Sequence, residues 1–500
     1  MFNANLTNNR LSVNPFIHMI AEQNKYLLFD ASIPRFYFAS PSSHDILNYI
    51  KAEGNNVSFE QVQEAMISVI CNGDLEITRQ IEKMIKYGVI CINNEKIYKD
   101  SPIMGEIKVP KIDTMFLIVS DHCNFLCDYC HVMHNKLESA NRDMTLEQLY
   151  DYLAYFEKIS NHDTKRNVVF FGGEPLLNFS VVEKTIDFWS SDANIEYTLF
   201  TNCSLVTEAI AKKLAAAKVK VIASIDGIDE HDHARKDLSG FSTYGRTLEG
   251  YEILRKNGCT VGISCTVGKH NVGSLASLCS KIIAELSPAN IGFNILHDMM
   301  AGKGQTDEEI KEVNRQMVEA YKICAQEGLY FVQAINRLRP IIDEHPRVQD
   351  CGAYGRQIVV TPSGKIGTCE VLSTSDVRFM EFKNDMDLTN DAEFKLWANR
   401  FPINFPECEN CRAIALCGGG CAYDSILHYG DINHKDIRCC EQAFSFFDYA
   451  KEFILNMIYV ETDEIIPVPR QDLRRLYGNI DVDSELYPLT TYHKRLNIGT

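Results

Sequence analysis

The chain has 500 residues, 45% of them hydrophobic and 23% charged, which is the composition of an ordinary globular protein with room for two or three cores. Its formal net charge of −17 repels phosphate backbones and argues against generic nucleic-acid binding. The opening MFNANLTNNRLSVNPF lacks a basic start followed by an apolar core, and no apolar run approaches membrane-span length, so a cytoplasmic protein with neither a nucleic-acid nor a membrane partner is expected.

Residues 25–29 and 36–39 read as short strands. A helix follows over 43–51, and a second opens at Ser58, where Ser58 and Gln61 make a capping box. A third covers 74–87, and GVICINNEKIY then reads as a hairpin turning at Asn93–Asn94. Helices followed by a hairpin make residues 1–100 a small winged-helix-like module. Pro102 and Pro110 mark residues 101–112 as a linker.

From Thr114 to Leu296 strands and helices alternate. Strands are expected over 114–120, 167–171, 195–202, 219–225, 260–267 and 290–296, with helix starts capped by Thr145/Gln148 and by Ser180/Glu183. Six βα units predict an α/β fold with a parallel sheet, too few for a full eight-stranded barrel but suited to a partial (β/α)6 TIM barrel over 113–330. Chemistry in such folds sits on the loops after the strands. A helix over 307–327 is expected to lead away from this domain. Residues 331–445 turn cysteine- and glycine-rich, the character of a region held by metal rather than by a core. The segment 446–500 carries a helix, centred on 441–459, and a polar tail.

Eighteen cysteines are unusual. Without a secretion signal, and at short spacings, they point to metal in a reducing compartment rather than to disulfides. Cys71, Cys91, Cys203, Cys259, Cys265, Cys279 and Cys324 stand singly and read as buried small hydrophobes. The rest are grouped. SDHCNFLCDYCHV places Cys123, Cys127 and Cys130 as C-x3-C-x2-C just after the first strand of the βα region. Three thiolates on one tight loop can hold three irons of a [4Fe–4S] cube and leave the fourth open, whereas structural zinc wants four ligands. FFGGEPLL follows the second strand, Thr201–Asn202 ends the third, and SIDG followed by HDHAR ends the fourth.

This constellation resembles the radical S-adenosylmethionine (radical SAM) superfamily, with Tyr129 as the aromatic before the last cysteine. The resemblance implies that the open iron chelates the amine and carboxylate of S-adenosylmethionine. It further implies that Gly172, Gly173 and Glu174 meet the methionine amine, and that Asn202, Ser224, Asp226 and Arg235 contact the remainder of the cofactor. A glycine pair permits close backbone approach, and a carboxylate suits an ammonium.

Cys351, Cys369, Cys408, Cys411, Cys417, Cys421 and the pair Cys439–Cys440 resemble the C-terminal SPASM extension with two auxiliary [4Fe–4S] clusters. The resemblance implies an outer cluster on Cys408, Cys411, Cys417 and either Cys439 or Cys440, and an inner one on Cys351, Cys369 and Cys421. Where relatives carry a further cysteine, this chain has Gln357, so the inner cluster is expected to have an open iron or an unidentified ligand. Glu370 follows Cys369, where some relatives place an acidic catalytic base.

Three clusters and S-adenosylmethionine together imply reductive cleavage of the cofactor, hydrogen abstraction by a 5′-deoxyadenosyl radical, and a second electron leaving through the auxiliary clusters. The front module is similar in order to the recognition element of maturases of ribosomally made peptides, which captures a leader segment as an added strand. The expected partners are therefore a precursor peptide with a leader and a reductant such as ferredoxin or flavodoxin. The expected reaction is thioether formation between a cysteine sulfur and a carbon. Carbon–carbon cross-linking and sulfatase maturation are alternatives within the class. A non-catalytic iron–sulfur sensor is an alternative outside it, and a tRNA-modifying enzyme would need a basic groove that the composition does not advertise.

Overall fold

The computed structural model describes residues 6–483 except 7, 23, 71–72, 94, 96–101, 106–107, 131, 133–142, 298–304, 375–377 and 458–464. The N-terminal part holds β1 (Arg10–Val13), β2 (Ile17–Glu22), β3 (Lys25–Asp30), β4 (Arg35–Ala39), β5 (Val57–Ser58) and β6 (Ile90–Ile92). Helices Pro41–Ala52, Phe59–Met66 and Gly73–Lys86 lie between β4 and β6. The Ser58–Gln61 capping box forms as expected, while the first helix starts at Pro41, earlier than read, because Ser40 caps it. β6 pairs antiparallel with β1. The hairpin expected at Asn93–Asn94 therefore gives way, on its first arm, to a long-range pair, with the Asn93 amide donating to the Arg10 carbonyl at 2.7 Å. Its second arm lies outside the described residues.

The large sheet begins with β7 (Thr114–Ser120), β8 (Arg166–Gly172), β9 (Ile195–Thr201), β10 (Lys220–Ser224), β11 (Thr260–Val267) and β12 (Asn290–Ile295). All six are parallel neighbours in chain order. Their helix-facing residues, among them Leu117, Phe170, Leu199, Val221 and Ile263, are buried in one core with the flanking helices. This near-continuous apolar reading is what a sheet covered by helices requires. Thr145 and Gln148 cap the helix Leu146–Ile159 reciprocally. Ser180 and Glu183 do not cap the next one: that helix runs Phe179–Phe188 from a 3₁₀ turn begun by Pro175, and the Ser180 hydroxyl bonds the Asn178 side chain instead.

The sheet extends past the six expected strands at both edges. The helix Asp307–Glu327 does not lead away. It packs on the helix Leu275–Leu286, and β13 (Tyr330–Phe331) behind it rejoins the sheet parallel to β12. At the other edge β14 (Gln357–Val360), from the cysteine-rich part, pairs parallel with β7. β15 (Lys365–Gly367) and β16 (Met380–Glu381) extend that edge antiparallel. The helix of the C-terminal part runs Ile437–Leu455, four residues earlier at each end than expected, because Asp436 caps it. Finally β17 (Ile466–Pro467) pairs with β4, completing a four-stranded sheet in the order β17-β4-β3-β2 with β2 at its edge. Among the described residues no helix is long and apolar enough to cross a membrane. Cys91, Cys203, Cys259, Cys265, Cys279 and Cys324 are buried, as their apolar contexts imply; Cys71 lies outside the described residues.

Candidate functional site

Cys123, Cys127 and Cys130 lie on the loop that leaves the C-terminal end of β7. The loop is pinned from outside: the Leu126 and Asp128 amides donate to the carbonyls of Lys236 and Ala234 at 2.8 and 2.9 Å. From inside, the Phe125 amide donates to Cys123 Sγ at 3.4 Å, and the Asn202 side-chain amide and the Arg235 guanidinium approach Cys123 and Cys127 at 3.9 and 4.0 Å. Burial pushes the Cys123 and Cys127 thiols up to about 12, so without a cation they hold their protons, and iron would have to displace them. Thiolates sharing one zinc ion stand about 3.8 Å apart. Among the described residues, the one trio of His, Cys or carboxylate donor atoms gathered within 4.8 Å is His297, Cys421 and Asp424. The cysteine loop is thus spread for something larger than a single ion, which fits a cluster.

The glycines after β8 lie against this loop. A Cβ on Gly172, whose φ is +134°, would stand 2.3 Å from the Ser120 carbonyl oxygen, and one on Gly173 would stand 2.1 Å from that of His122. Their lack of side chains lets the Gly173 and Glu174 amides donate to those same carbonyls at 2.7 and 2.8 Å. The Glu174 carboxylate accepts from the Leu176 amide at 3.1 Å, the Thr201 hydroxyl at 2.8 Å and the Asn202 amide at 2.8 Å. It therefore locks the ends of β8 and β9 together, and three of a carboxylate's roughly four acceptor positions are filled from within the protein. Burial raises its carboxyl to about 7 against the pull of those three donors.

Asp226, behind the loop, is fully buried. It accepts from the Tyr129 hydroxyl, from Arg235 at 3.1 Å and from the Thr266 amide at 2.8 Å, and His270 lies 3.5 Å away. Burial works to raise its carboxyl, but Arg235, His270 and Tyr129 outweigh burial and hold it below the usual carboxylate range. Ser224, Arg235, Asn202 and Tyr129 line the central cavity, whereas Asp226 is set behind Arg235 and Tyr129 and orients them.

That cavity, of about 670 Å³, joins the two cysteine groups. The cysteine loop and Gly172–Glu174 line it together with Cys351, Cys369, Cys421 and Cys439. Cys369 feels Cys351, and Cys421 feels Cys369, once burial has raised all three thiols. Cys408, Cys411, Cys417 and Cys440 form a second set: after burial, the interactions that raise Cys440 come first from Cys417 and Cys408. Cys439 turns away from them, with Sγ 3.9 Å from Asp350. Gly418–Gly420, all at positive φ, make the turn between Cys417 and Cys421, and the buried Arg400 gathers the Gly419 and Gly420 carbonyls at 2.9 and 3.1 Å. Gln357 is buried; its amide donates to the Thr368 carbonyl at 2.7 Å and to Glu370 at 3.2 Å. Glu370 lines the cavity, and burial raises its carboxyl against the pull of its own amide, Gln357 and His297.

Several of these groups carry no sequence motif. Arg337 and Arg347 clamp Asp350 at 2.7 and 3.0 Å; Arg438 pairs with Asp424 and Asp436; and His297, just past β12, meets Asp424 at 2.5 Å. The Arg–Asp pairs are close in sequence, whereas His297 and Asp424 are 127 residues apart, so only the fold could reveal that pair.

A model of the Radical SAM superfamily matches residues 117–278. The chain is 23% identical over 463 residues to the radical SAM cyclopropyl synthase TigE of Paramaledivibacter caminithermalis, spanning 87% of this chain and 94% of that protein. It is 23% identical over 248 residues to the antilisterial bacteriocin subtilosin biosynthesis protein AlbA of Bacillus subtilis, spanning 48% of this chain and 53% of AlbA. The fold is similar to that of native anSMEcpe with bound AdoMet, with a TM-score of 0.57 and 20% identity over 69% of this chain and 98% of the other.

Proposed function

From the premise that this chain is a radical SAM superfamily enzyme, we propose that it cross-links a ribosomally made precursor peptide through an unactivated carbon, by carbon–carbon ring closure. The observation that carries this reading is the single cavity lined both by the cysteine loop with Glu174 and by the inner cysteines. A peptide segment seated there would lie between a site of hydrogen abstraction and an electron sink. When bound, a [4Fe–4S] cluster on Cys123, Cys127 and Cys130 and S-adenosylmethionine supply one-electron cleavage of the sulfonium and, from it, the hydrogen abstraction.

The chain's own residues supply position. Glu174 has one acceptor place left for the cofactor's ammonium, and Arg235 and Tyr129 are held toward the cavity by Asp226. Glu370, on the same cavity, is placed to take the proton lost when the link closes. Cys351, Cys369 and Cys421 would hold the inner auxiliary cluster, and Cys408, Cys411, Cys417 and Cys440 the outer one. The second electron would pass through them to a carrier such as ferredoxin or flavodoxin. Carbon–carbon closure is favoured by TigE, which is named a cyclopropyl synthase and matches over nearly its whole length. Thioether formation is the second reading, favoured by Gln357, which leaves the inner trio one thiolate short.

The N-terminal part would hold the leader. β2 is the edge of its sheet, and a groove of about 420 Å³ beside it is lined by residues 17–22 with Lys51, Arg412 and Lys451. An extended acidic segment would find both backbone partners and cations there.

Mass spectrometry of a precursor peptide co-expressed with the enzyme tests the proposal. Carbon–carbon closure removes two hydrogens per link and leaves cysteines open to iodoacetamide. Thioethers remove the same two hydrogens but protect the cysteines, and an unchanged peptide mass contradicts both.

A further inference from the structure

Parallel strands send alternate side chains to opposite faces, so the lining that β7, β8 and β9 give the central cavity is layered along the strand direction. Toward the strand starts the layer is polar, with Thr114, Asn167 and Thr198. These groups are satisfied from within: the Thr198 hydroxyl donates to the Asn167 side-chain oxygen at 3.3 Å, and the Thr114 hydroxyl to Asp113 at 2.9 Å. Past the strand ends lie the cysteine loop, Gly172–Glu174 and Asn202. Between the two levels the lining is Phe116, Val169, Phe171 and Phe200.

The register sets Phe116 beside Val169. The Phe171 ring meets those of Phe116 and Phe200 edge-on, with centroids 5.9 and 5.4 Å apart. Their chain neighbours Met115, Leu117, Phe170 and Leu199 are fully buried in the core, whereas the three rings are only half-buried and border the cavity. A hydroxyl or carboxylate pressed against them would lose water without gaining a partner, while an aliphatic side chain gains by the same burial. Farther along the sheet the lining is polar. Asn294, on β12, is exposed to the cavity; its amide donates to the Ser264 hydroxyl and accepts from Gln333, both at 2.9 Å. Those two bonds fix the amide plane and leave one N–H and one lone pair, the groups that a peptide unit complements.

We propose that the residue whose carbon reacts carries an aliphatic side chain, seated on Phe116, Phe171 and Phe200, with its backbone amide paired to Asn294. The inference rests on the reading that a peptide is cross-linked in this cavity, and it names the class of residue that enters. The apolar layer adjoins the Gly172–Glu174 turn, so a carbon held there is next to the place where its hydrogen would be taken.

The test uses the anaerobically reconstituted full chain with S-adenosylmethionine and no reductant. Two capped amino acids, N-acetyl-leucine methylamide and N-acetyl-serine methylamide, serve as probes, and their binding is read by ligand-observed nuclear magnetic resonance. The leucine probe should bind more tightly by about tenfold. Phe171→Ser and Phe200→Ser should erase that preference, Phe200→Leu should keep it, and Asn294→Ala should weaken both probes equally. Equal or absent binding of the two probes to the intact chain, or a preference that survives both serine substitutions, would overturn the proposal. So would loss of S-adenosylmethionine binding in the serine variants, which would assign the rings to the cofactor. Tandem mass spectrometry of a co-expressed precursor peptide separates this inference from the reading beneath it. The carbon end of the link is expected on Val, Leu or Ile; a link on a polar or aromatic residue overturns the inference alone, and an unlinked peptide overturns the reading it rests on.

Discussion

Asp226 shows how much of the site rests on single buried charges. Replacing it by Asn keeps the shape but leaves Arg235 buried and unpaired, and breaking a buried ion pair in this way costs about 3–5 kcal/mol. Asp226→Asn should therefore lower the thermal unfolding temperature markedly and loosen Tyr129, while Asp229→Asn, on an exposed pair, should leave the temperature unchanged within error. Glu174 predicts a pH dependence. Its folded carboxyl is raised to about 7, so the native chain holds a proton there that the unfolded chain releases near 4.5. Its contribution to stability is complete below pH 4.5 and is lost as pH rises through 7. Unfolding of the cluster-free protein followed from pH 5 to pH 8 should show stability falling, with a shallower fall in Glu174→Gln.

At this scale the sequence was legible wherever spacing carries the chemistry, as in Cys123, Cys127 and Cys130. It was silent where a helix decides. Cys439 and Cys440 are adjacent in sequence but about 100° apart around the helix axis, and only the packing shows that Cys440 faces Cys408 and Cys417 while Cys439 faces Asp350. Cys440→Ala should accordingly lose iron on reconstitution, and Cys439→Ala should retain it. His297 was missed because its partners, Cys421 and Asp424, are more than 120 residues away.

At the scale of elements, the turn after β8 is a close approach between two backbones. Gly173→Ala would drive a methyl to within 2.1 Å of the His122 carbonyl oxygen, and backbone on both sides leaves little room to give. Its expected outcome is a displaced cysteine loop, seen as a several-fold loss of the cluster held by that loop at unchanged overall helicity by circular dichroism. The six strands from β7 to β12 were readable because long apolar runs between capped helices leave few alternatives. β1, β5 and β17 were not, since each is two to four residues long and is specified by a distant partner rather than by its own pattern. The pairing of β14 with β7 was equally hidden. It places Gln357, at the start of β14, beside Thr114, and so welds the cysteine-rich part to the sheet that carries the cysteine loop.

At the scale of the whole molecule, three cysteine groups hang from one framework: the loop after β7, the inner trio on the same cavity, and an outer quartet that, among the described residues, does not line it. Shared β-structure fixes the first two relative to each other, which an electron path between them requires. The formal net charge of −17 works against generic binding to a nucleic-acid backbone. The account stands or falls on the loop after β7, and the decisive measurement is 5′-deoxyadenosine formed by the anaerobically reconstituted, dithionite-reduced protein given S-adenosylmethionine. The intact chain should produce it and Cys127→Ala should not; equal production by the two, or none from an intact chain shown to hold its clusters, would contradict the account.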